Sequence, residues 1–197
     1  SDKVDQFNKY NCKGEYQFGD RIYHCWDENG HGELNLSDAI KHSCNIYFYN
    51  VIQNFRLNEW AEMSNRFGFG KNTGIDLLNE ATGLVPTREY MNKKYTSRGW
   101  AFGSLLNFVL GQGDLLTTPL QVGQMMNLVA SSGKSFIPHL VQPDEINPLN
   151  LQFKSSTWNF IQSSLMRVVN EVHGTGKNAQ ISKGGTVYGK TGTAQNP

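Results

Sequence analysis

Residues 184–195 read GGTVYGKTGTAQ and contain two overlapping motifs that predict different folds. Gly184, Gly189, Lys190 and Thr191 fit G-x-x-x-x-G-K-[ST], the pattern of a loop that binds nucleotide phosphates. Such a loop follows a buried apolar strand and precedes a helix whose N-terminal amides point at the phosphates. Here the preceding residues, NAQISKGG, are polar, and the following ones, GTAQNP, lead to a proline. This context argues against a phosphate loop.

The same stretch also predicts the edge of a β-strand, because residues 186–188 are Thr-Val-Tyr and favour an extended backbone. On such an edge Lys190 would project into a cleft as a point charge. Thr191 and Thr193 offer hydroxyls, and Gly192 is small enough for a substrate backbone to lie alongside. Taken alone, K-T-G-T is equally consistent with a surface turn.

A second motif, Ser43-Cys44-Asn45, has the form S-x-N. It falls between two predicted helices, the first capped by Asn35 or Ser37 and the second carrying apolar residues at helical spacing. A hydroxyl and an amide at this junction would face the same cleft as the K-T-G-T hydroxyls. The rest of the chain is predicted as helices and loops: short strands and loops over residues 10–32, helices over 59–67, 119–130 and from 156 onward, and loops over 71–117 and 143–155.

Composition limits the class of protein. The chain has 197 residues, 38% hydrophobic and 18% charged, with a formal net charge of +1. This balance argues against a nucleic-acid-binding protein, which would concentrate basic residues on one surface. No stretch approaches the roughly 20 apolar residues of a membrane helix. Because Ser1-Asp2-Lys3 is an unusual start for a protein, we expect the chain to be an internal piece of a longer one.

Five stretches in a fixed order resemble the transpeptidase domain of class B penicillin-binding proteins, and among these the elongation type, penicillin-binding protein 2. They are GHGELNLSDAIKHSCNIYFYNV, FGFGKNTGIDLLNEATGLVP, LGQGDLLTTPLQVGQMMNLVASSGK, VVNEVHGTGKNAQ and GKTGTAQ. The resemblance implies an α+β fold, shared with serine β-lactamases, in which a largely antiparallel sheet is flanked by helices. The motif set of this family is S-x-x-K, S-x-N and K-T-G.

The resemblance implies a peptidoglycan D,D-transpeptidase that cross-links stem peptides through a serine acyl-enzyme and is inhibited by β-lactams. Ser43 would relay a proton to the leaving amine, and Asn45 would bind the substrate amide. Lys190 would set the positive potential of the cleft. Thr191 and Thr193, with Gly192 between them, would bind the terminal carboxylate, and the Thr193 N–H would supply half of the oxyanion hole.

The nucleophile of the family is not found at its expected place before residues 10–30. The formal S-x-x-K match, residues 131–134, falls in a helix-ending turn between the other two motifs and is rejected. Residues 1–197 are therefore expected to be a partial transpeptidase domain that lacks the S-x-x-K region and the C-terminal strands and helix. We expect this chain to be inactive alone and its parent protein to be the enzyme.

Two other functions stay open: a β-lactamase or β-lactam sensor, and a non-catalytic cell-wall scaffold. The resemblance implies stem peptides ending in D-Ala-D-Ala and β-lactams as ligands, and a glycosyltransferase and elongation-complex scaffold proteins as partners, with no nucleic acid. It also implies the periplasmic face of the bacterial inner membrane, with an anchor N-terminal to this chain. Catalysis would require no cofactor.

Three cysteines leave one unpaired within the chain. One arrangement is a Cys12–Cys25 disulfide with Cys44 buried, since the family works in an oxidising compartment. Another is a structural zinc site in which Cys12, Cys25, His31 and Cys44 supply three thiolates and an imidazole. His24, beside Cys25, is the alternative to His31.

Of the four tryptophans, Trp100 is the candidate for a substrate groove, with core packing as its alternative.

Overall fold

The structure is a computed structural model that describes residues 3–97, 99–142, 145 and 147–193. Within these residues the chain is a mixture of helices and short antiparallel sheets, and no helix there is long and apolar enough to cross a membrane. Two compact units are formed, Ser1–Phe55 with Phe160–Pro197, and Arg56–Asn159. The elements are β1 (Tyr10–Cys12), β2 (Glu15–Phe18), β3 (Arg21–His24), β4 (Gly32–Leu34), α1 (Leu36–His42), α2 (Asn45–Ile52), α3 (Leu57–Arg66), α4 (Arg88–Lys94), α5 (Gly103–Val109), α6 (Pro119–Ala130), β5 (Lys134–Phe136), β6 (Pro148–Asn150) and α7 (Ser155–Asn170), with a 3₁₀ turn at Lys177–Ala179.

Two small antiparallel sheets open the first unit. β1 pairs with β4, which places Cys12 opposite Gly32, and β2 pairs with β3 in a hairpin. Gly19 lies in the hairpin turn with a φ of 61°, a backbone conformation that glycine adopts without steric cost. The β1–β4 pairing therefore brings Cys12 close to His31, the residue that precedes β4.

The two helices that follow meet at a sharp corner. The Asn35 side chain accepts a hydrogen bond from Asp38 N and caps α1. Ala39 and Tyr47 are buried, and the Tyr47 ring packs edge-on against Tyr10 at 5.1 Å between centroids. The core of this unit is thus built where β1, α1 and α2 converge.

The second unit is organised around α6. Thr118 and Gln121 form a capping box at its start, with Pro119 in the first turn. The Gln121 side chain is fully buried and donates from Nε2 to the carbonyls of Lys71 and Thr82 at 2.7 and 2.8 Å. A buried polar side chain needs such partners, so Gln121 ties the 71–83 segment to α6.

The predicted α+β class is confirmed, as are the helices at α1, α2, α3, α6 and α7. Two expectations were wrong. Residues 71–117 are not all loop, because they contain the two-turn helices α4 and α5, whose short length leaves little periodicity in the sequence. The predicted strand at residues 186–188 is not formed: this segment has no partner strand among the described residues. The first three residues of the rejected S-x-x-K match form the turn after α6, and its lysine, Lys134, begins β5.

Candidate active site

Ser43 occupies the turn that ends α1. Its φ of 54° is in the left-handed region, and its N–H bonds to the Ile40 carbonyl at 3.2 Å. The N–H of Cys44 bonds to the Ala39 carbonyl at 3.0 Å, which completes a Schellman motif. Cys44 then serves as the N-cap residue of α2. The S-x-N motif therefore forms the corner between the two helices. Ser43, at this corner, has a left-handed backbone conformation.

Lys190 reaches this corner from the other end of the sequence. Its Nζ donates to Ser43 Oγ at 2.7 Å and to the Thr191 carbonyl at 3.0 Å. Although much of the residue is exposed, desolvation of the ammonium among these groups lowers the pKa of Lys190. No ion pair among the described residues involves Lys190. Its charge is therefore available to an anionic ligand.

Asn45 is only 8% exposed, and its Nδ2 donates to the His24 carbonyl on β3 at 3.2 Å. An amide carries two N–H donors and one oxygen acceptor, so this bond uses a single donor. The bond fixes the plane of the amide relative to β3. Asn45, which is predicted to bind substrate, is thus held by β3, the strand that immediately precedes Cys25.

The hydroxyl of Thr191 lies 2.8 Å from that of Thr175. Gly192 and Thr193 follow as exposed residues, and the Ala194 and Gln195 of the quoted motif lie outside the described residues. The structure thus brings the side chains of Ser43 and Lys190 into contact and places Lys190 Nζ on the Thr191 carbonyl. The roles of Gly192 and Thr193 stay predictions.

Helix α7 supports the segment that carries Lys190. Asn170 Nδ2 donates to the Val187 carbonyl at 2.7 Å, and Gly189 N bonds to the Leu165 carbonyl at 3.3 Å. These two bonds replace the strand ladder that the sequence predicted. Among the described residues, a helix rather than a sheet therefore holds this segment.

The same helix is attached to α1 by charged groups. Arg167 donates to Ser37 Oγ at 2.6 Å, to Asp38 Oδ1 at 2.8 Å and to Glu171 Oε1 at 3.0 Å. Lys41 Nζ binds the other oxygen of Glu171 at 3.2 Å. These contacts fix the helix that ends at Ser43 against the helix that holds Lys190.

The three cysteines and His31 form a compact cluster. Cys12, Cys25 and Cys44 are buried free thiols, so the Cys12–Cys25 disulfide is not formed in this structure. Both Cys12 Sγ and Cys25 Sγ lie 3.5 Å from His31 Nδ1, and the four ligand atoms all lie within 4.8 Å of one another. His24 is exposed and outside the cluster.

The cluster has the properties of a zinc site. Ligand atoms bound to a tetrahedral zinc ion lie about 3.5–3.8 Å apart, close to the separations seen here. A hydrogen bond from Cys44 lowers the pKa of the Cys25 thiol, with His31 acting in the same direction, so a thiolate already has donors around it. His31 Nε2 is buried, has no hydrogen-bond partner among the residues that the structure describes, and lies 4.0 Å from Asp27 Oδ2. Metal-bound histidines usually direct the other ring nitrogen toward such a carboxylate.

Trp100 is the remaining residue predicted for a site. Trp100 belongs to the second unit, where its Nε1 donates to Asn92 Oδ1 at 2.6 Å. Sequence reasoning missed Thr175 and Arg167. Only the position of Thr175 inside the quoted VVNEVHGTGKNAQ stretch could have drawn attention to it.

Residues 1–196 match the penicillin binding protein transpeptidase domain family. The chain belongs to this family. The S-x-N corner and the K-T-G-T segment described above have the form of the second and third motifs of such domains.

Similar proteins include the peptidoglycan D,D-transpeptidase MrdA of Haemophilus influenzae, 33% identical over 86% of this chain and 28% of the relative. A solved complex of penicillin-binding protein 2 with MreC from Helicobacter pylori matches with a TM-score of 0.88 and 29% identity over 98% of this chain and 36% of that one. A solved peptidoglycan synthase complex that coordinates polymerization and crosslinking matches with a TM-score of 0.87 and 28% identity, over 99% of this chain and 34% of that one. The chain spans less than a third of the length of the curated relative.

Proposed function

We propose that the protein containing this chain is a peptidoglycan D,D-transpeptidase and that this chain supplies its proton relay and carboxylate-binding groups. The observation that carries the proposal is the 2.7 Å hydrogen bond from Lys190 Nζ to Ser43 Oγ. It joins the second and third motifs of the family through their functional side chains. Family membership and the transpeptidase names of relatives support the same activity.

The chemistry follows from the donors and acceptors present. Because Lys190 donates to Ser43 Oγ, the Ser43 hydroxyl keeps its own hydrogen for a second acceptor. That acceptor would be the amine of the leaving D-alanine, which needs a proton as the acyl bond breaks. A proton lost from Ser43 would be replaced by one from the Lys190 ammonium. The two residues would therefore act as a proton relay. The nucleophilic serine would be supplied by an S-x-x-K motif elsewhere in the protein.

The test uses the full-length protein and a fluorescent penicillin. We expect covalent labelling with slow release in the wild-type protein, and a loss of at least tenfold in the labelling rate in Ser43→Ala, which removes the relay hydroxyl. Ser182→Ala, at an exposed serine with no role in the proposal, is the matched control. A wild-type protein that is never labelled would contradict the proposal, and rapid release of the label would favour a β-lactamase instead.

The ligands and partners are part of this proposal. D-Ala-D-Ala stem peptides are the expected substrates and β-lactams the expected inhibitors. The Helicobacter pylori complex with MreC and the synthase complex that couples polymerization with crosslinking support a scaffold protein and a glycosyltransferase as partners. We place the site at the periplasmic face of the bacterial inner membrane, where the stem peptides are. Localisation of a tagged full-length protein tests this placement.

We further propose that Cys12, Cys25, His31 and Cys44 hold a structural zinc ion. When bound, zinc would join Cys12 at the end of β1 and Cys25, the residue after β3, to the helix corner that carries Cys44. Cys44 is the middle residue of S-x-N, so the cluster would fix the positions of Ser43 and Asn45 directly. The four side chains would act as ligands only, and no catalytic step would pass through them.

Elemental analysis of full-length protein, purified without metal affinity, tests the zinc site. We expect about one zinc per chain in the wild type and a loss of at least tenfold in zinc affinity in His31→Asn. His24→Asn is the matched control because His24 is exposed and outside the cluster. Absence of zinc together with two oxidised cysteines would contradict the proposal, as would equal zinc binding by the two variants.

A further inference from the structure

Thr175 lies between the two motif segments and contacts both. Its backbone N–H and its Oγ1 each bond to the Lys41 carbonyl at 3.3 Å. Its Oγ1 also lies 2.8 Å from Thr191 Oγ1. Lys41 is in the last turn of α1, two residues before Ser43, where helix carbonyls lack partners within the helix. One threonine therefore caps the helix that ends at Ser43 and touches the first hydroxyl of K-T-G-T.

The turn that presents Thr175 is sterically fixed. It begins with His173 at a φ of 63° and continues through Gly174, where a Cβ would lie 2.3 Å from the Val168 carbonyl oxygen. The same carbonyl accepts a hydrogen bond from Gly176 N at 2.9 Å. Residues on both sides of Thr175 are thus packed against the end of α7. The position of the Thr175 hydroxyl is set by backbone geometry rather than by a free loop.

The number of hydroxyl hydrogens limits which hydrogen bonds Thr175 and Thr191 can donate at the same time. Each threonine hydroxyl has one hydrogen to donate and two lone pairs to accept. If Thr175 donates to the Lys41 carbonyl, Thr191 donates to Thr175 and has no hydrogen left for a ligand. If Thr175 donates to Thr191, the Thr191 hydrogen is directed away from the pair and can bind an anion. A carboxylate at Thr191 selects the second arrangement, because it can only accept.

We propose that Thr175 is a positioning residue for carboxylate recognition. It acts through Thr191, whose hydroxyl it orients as a donor toward the terminal carboxylate of the substrate or of a β-lactam. The inference rests on the proposed transpeptidase function and deepens it, because it names a residue outside the three motifs that sets specificity for an anionic terminus. Lys190 supplies the charge near this carboxylate, and Thr175 supplies the direction of the hydrogen bond.

The test compares two ligands in the full-length protein: a penicillin and its methyl ester, which lacks the anionic carboxylate. In Thr175→Val, which keeps the shape and removes the hydroxyl, we expect the acylation rate constant for the acid to fall about tenfold. The rate constant for the ester should stay within about twofold, so the preference for the acid collapses. Thr175→Ser keeps the hydroxyl and should restore the preference. Thr186→Val, at an exposed threonine in the same segment, should behave as wild type.

The possible outcomes distinguish a failure of the proposed transpeptidase function from a failure of the proposed role of Thr175. Wild-type protein that neither ligand acylates would overturn the proposed function itself. Wild-type acylation with an unchanged acid-to-ester ratio in Thr175→Val would overturn only the role of Thr175. Equal losses for the acid and the ester, not restored by serine, would show that Thr175 supports the fold without orienting Thr191.

Discussion

Arg167 and Asp38 form an ion pair at 2.8 Å although they are 129 residues apart in the sequence. The pair joins α7 to α1, and the same guanidinium also binds Ser37 and Glu171. Because α1 ends at Ser43 and α7 holds the segment of Lys190, this side chain contributes to the way the two motif segments meet.

Replacing Arg167 with Met keeps the aliphatic stem and removes three charge-assisted hydrogen bonds. The side chain is partly buried, 23% exposed, so solvent replaces these bonds incompletely. We expect the free energy of unfolding of the full-length protein's transpeptidase domain to fall by about 1–3 kcal/mol in urea denaturation.

Lys9→Met provides the control for Arg167→Met. Lys9 pairs with Glu33 at 2.8 Å, but both side chains are more than half exposed. Exposed ion pairs contribute little to stability, so no measurable change is expected. Equal effects of the two substitutions would show that the α1–α7 contact has no special role.

Lys190→Met should lower the acylation rate by penicillin by about 100-fold, because it removes the charge and the donor to Ser43 Oγ. Stopped-flow or gel-based labelling measures this rate. Lys183→Met, at an exposed lysine of the same segment, should leave it unchanged. A Lys190→Met protein acylated at the wild-type rate would rule out the relay.

The lowered pKa of Lys190 has a pH signature. Desolvation favours the neutral amine, so deprotonation in the folded protein occurs below the ordinary lysine value of 10.5. The acylation rate should therefore decrease with rising pH, with a midpoint below 10.5. Between the folded pKa and 10.5 the unfolded chain binds this proton more tightly, so the contribution of Lys190 to stability rises with pH in that window.

Lys190→Arg isolates this effect, because arginine stays protonated throughout the accessible range. Its pH profile should lack the decrease assigned to Lys190. If the wild type and Lys190→Arg lose activity at the same pH, another group is responsible.

Replacing two different glycines near α6 with alanine should change the stability of the protein in opposite directions. Gly133 has a φ of 89°, and a Cβ there would lie 2.0 Å from the Leu151 carbonyl oxygen, so Gly133→Ala should destabilise the protein by about 2–4 kcal/mol. Gly123 lies within α6, and a Cβ there would meet no atom within 4 Å. Gly123→Ala should stabilise by about 0.5–1 kcal/mol through helix propensity. Thermal unfolding of both variants tests the pair, and shifts of the same sign would contradict it.

Local signals determined which elements the sequence could predict. The Asn35 cap and Pro119 in the first turn of α6 mark helix starts within a few residues, so these helices were predicted. The helices α4 and α5 are seven residues each and depend on packing that a local pattern does not record. Val187 and Tyr188 favour a strand, but a ladder needs a partner, and α7 binds this segment instead.

The sequence indicated which residues are candidates for the site, but it did not indicate most of the contacts between them. Ser43 and Lys190 stand in recognisable motifs, and the four residues of the cysteine cluster were named from chemistry alone. Thr175 and Arg167 carry no such signal, because each gains its role from partners more than 100 residues away or from a turn that only the fold creates. A single sequence contains no local record of such pairings.

Ser43 and Lys190 are 147 positions apart in the sequence, and this separation also affects the order in which the site is formed. During translation the helix corner emerges early, and the lysine that completes it leaves the ribosome only after the intervening chain has been synthesised. Closing so long a loop is entropically costly and makes the contact a late event in folding. A nascent chain stalled before Lys190 would thus contain Ser43 but no relay.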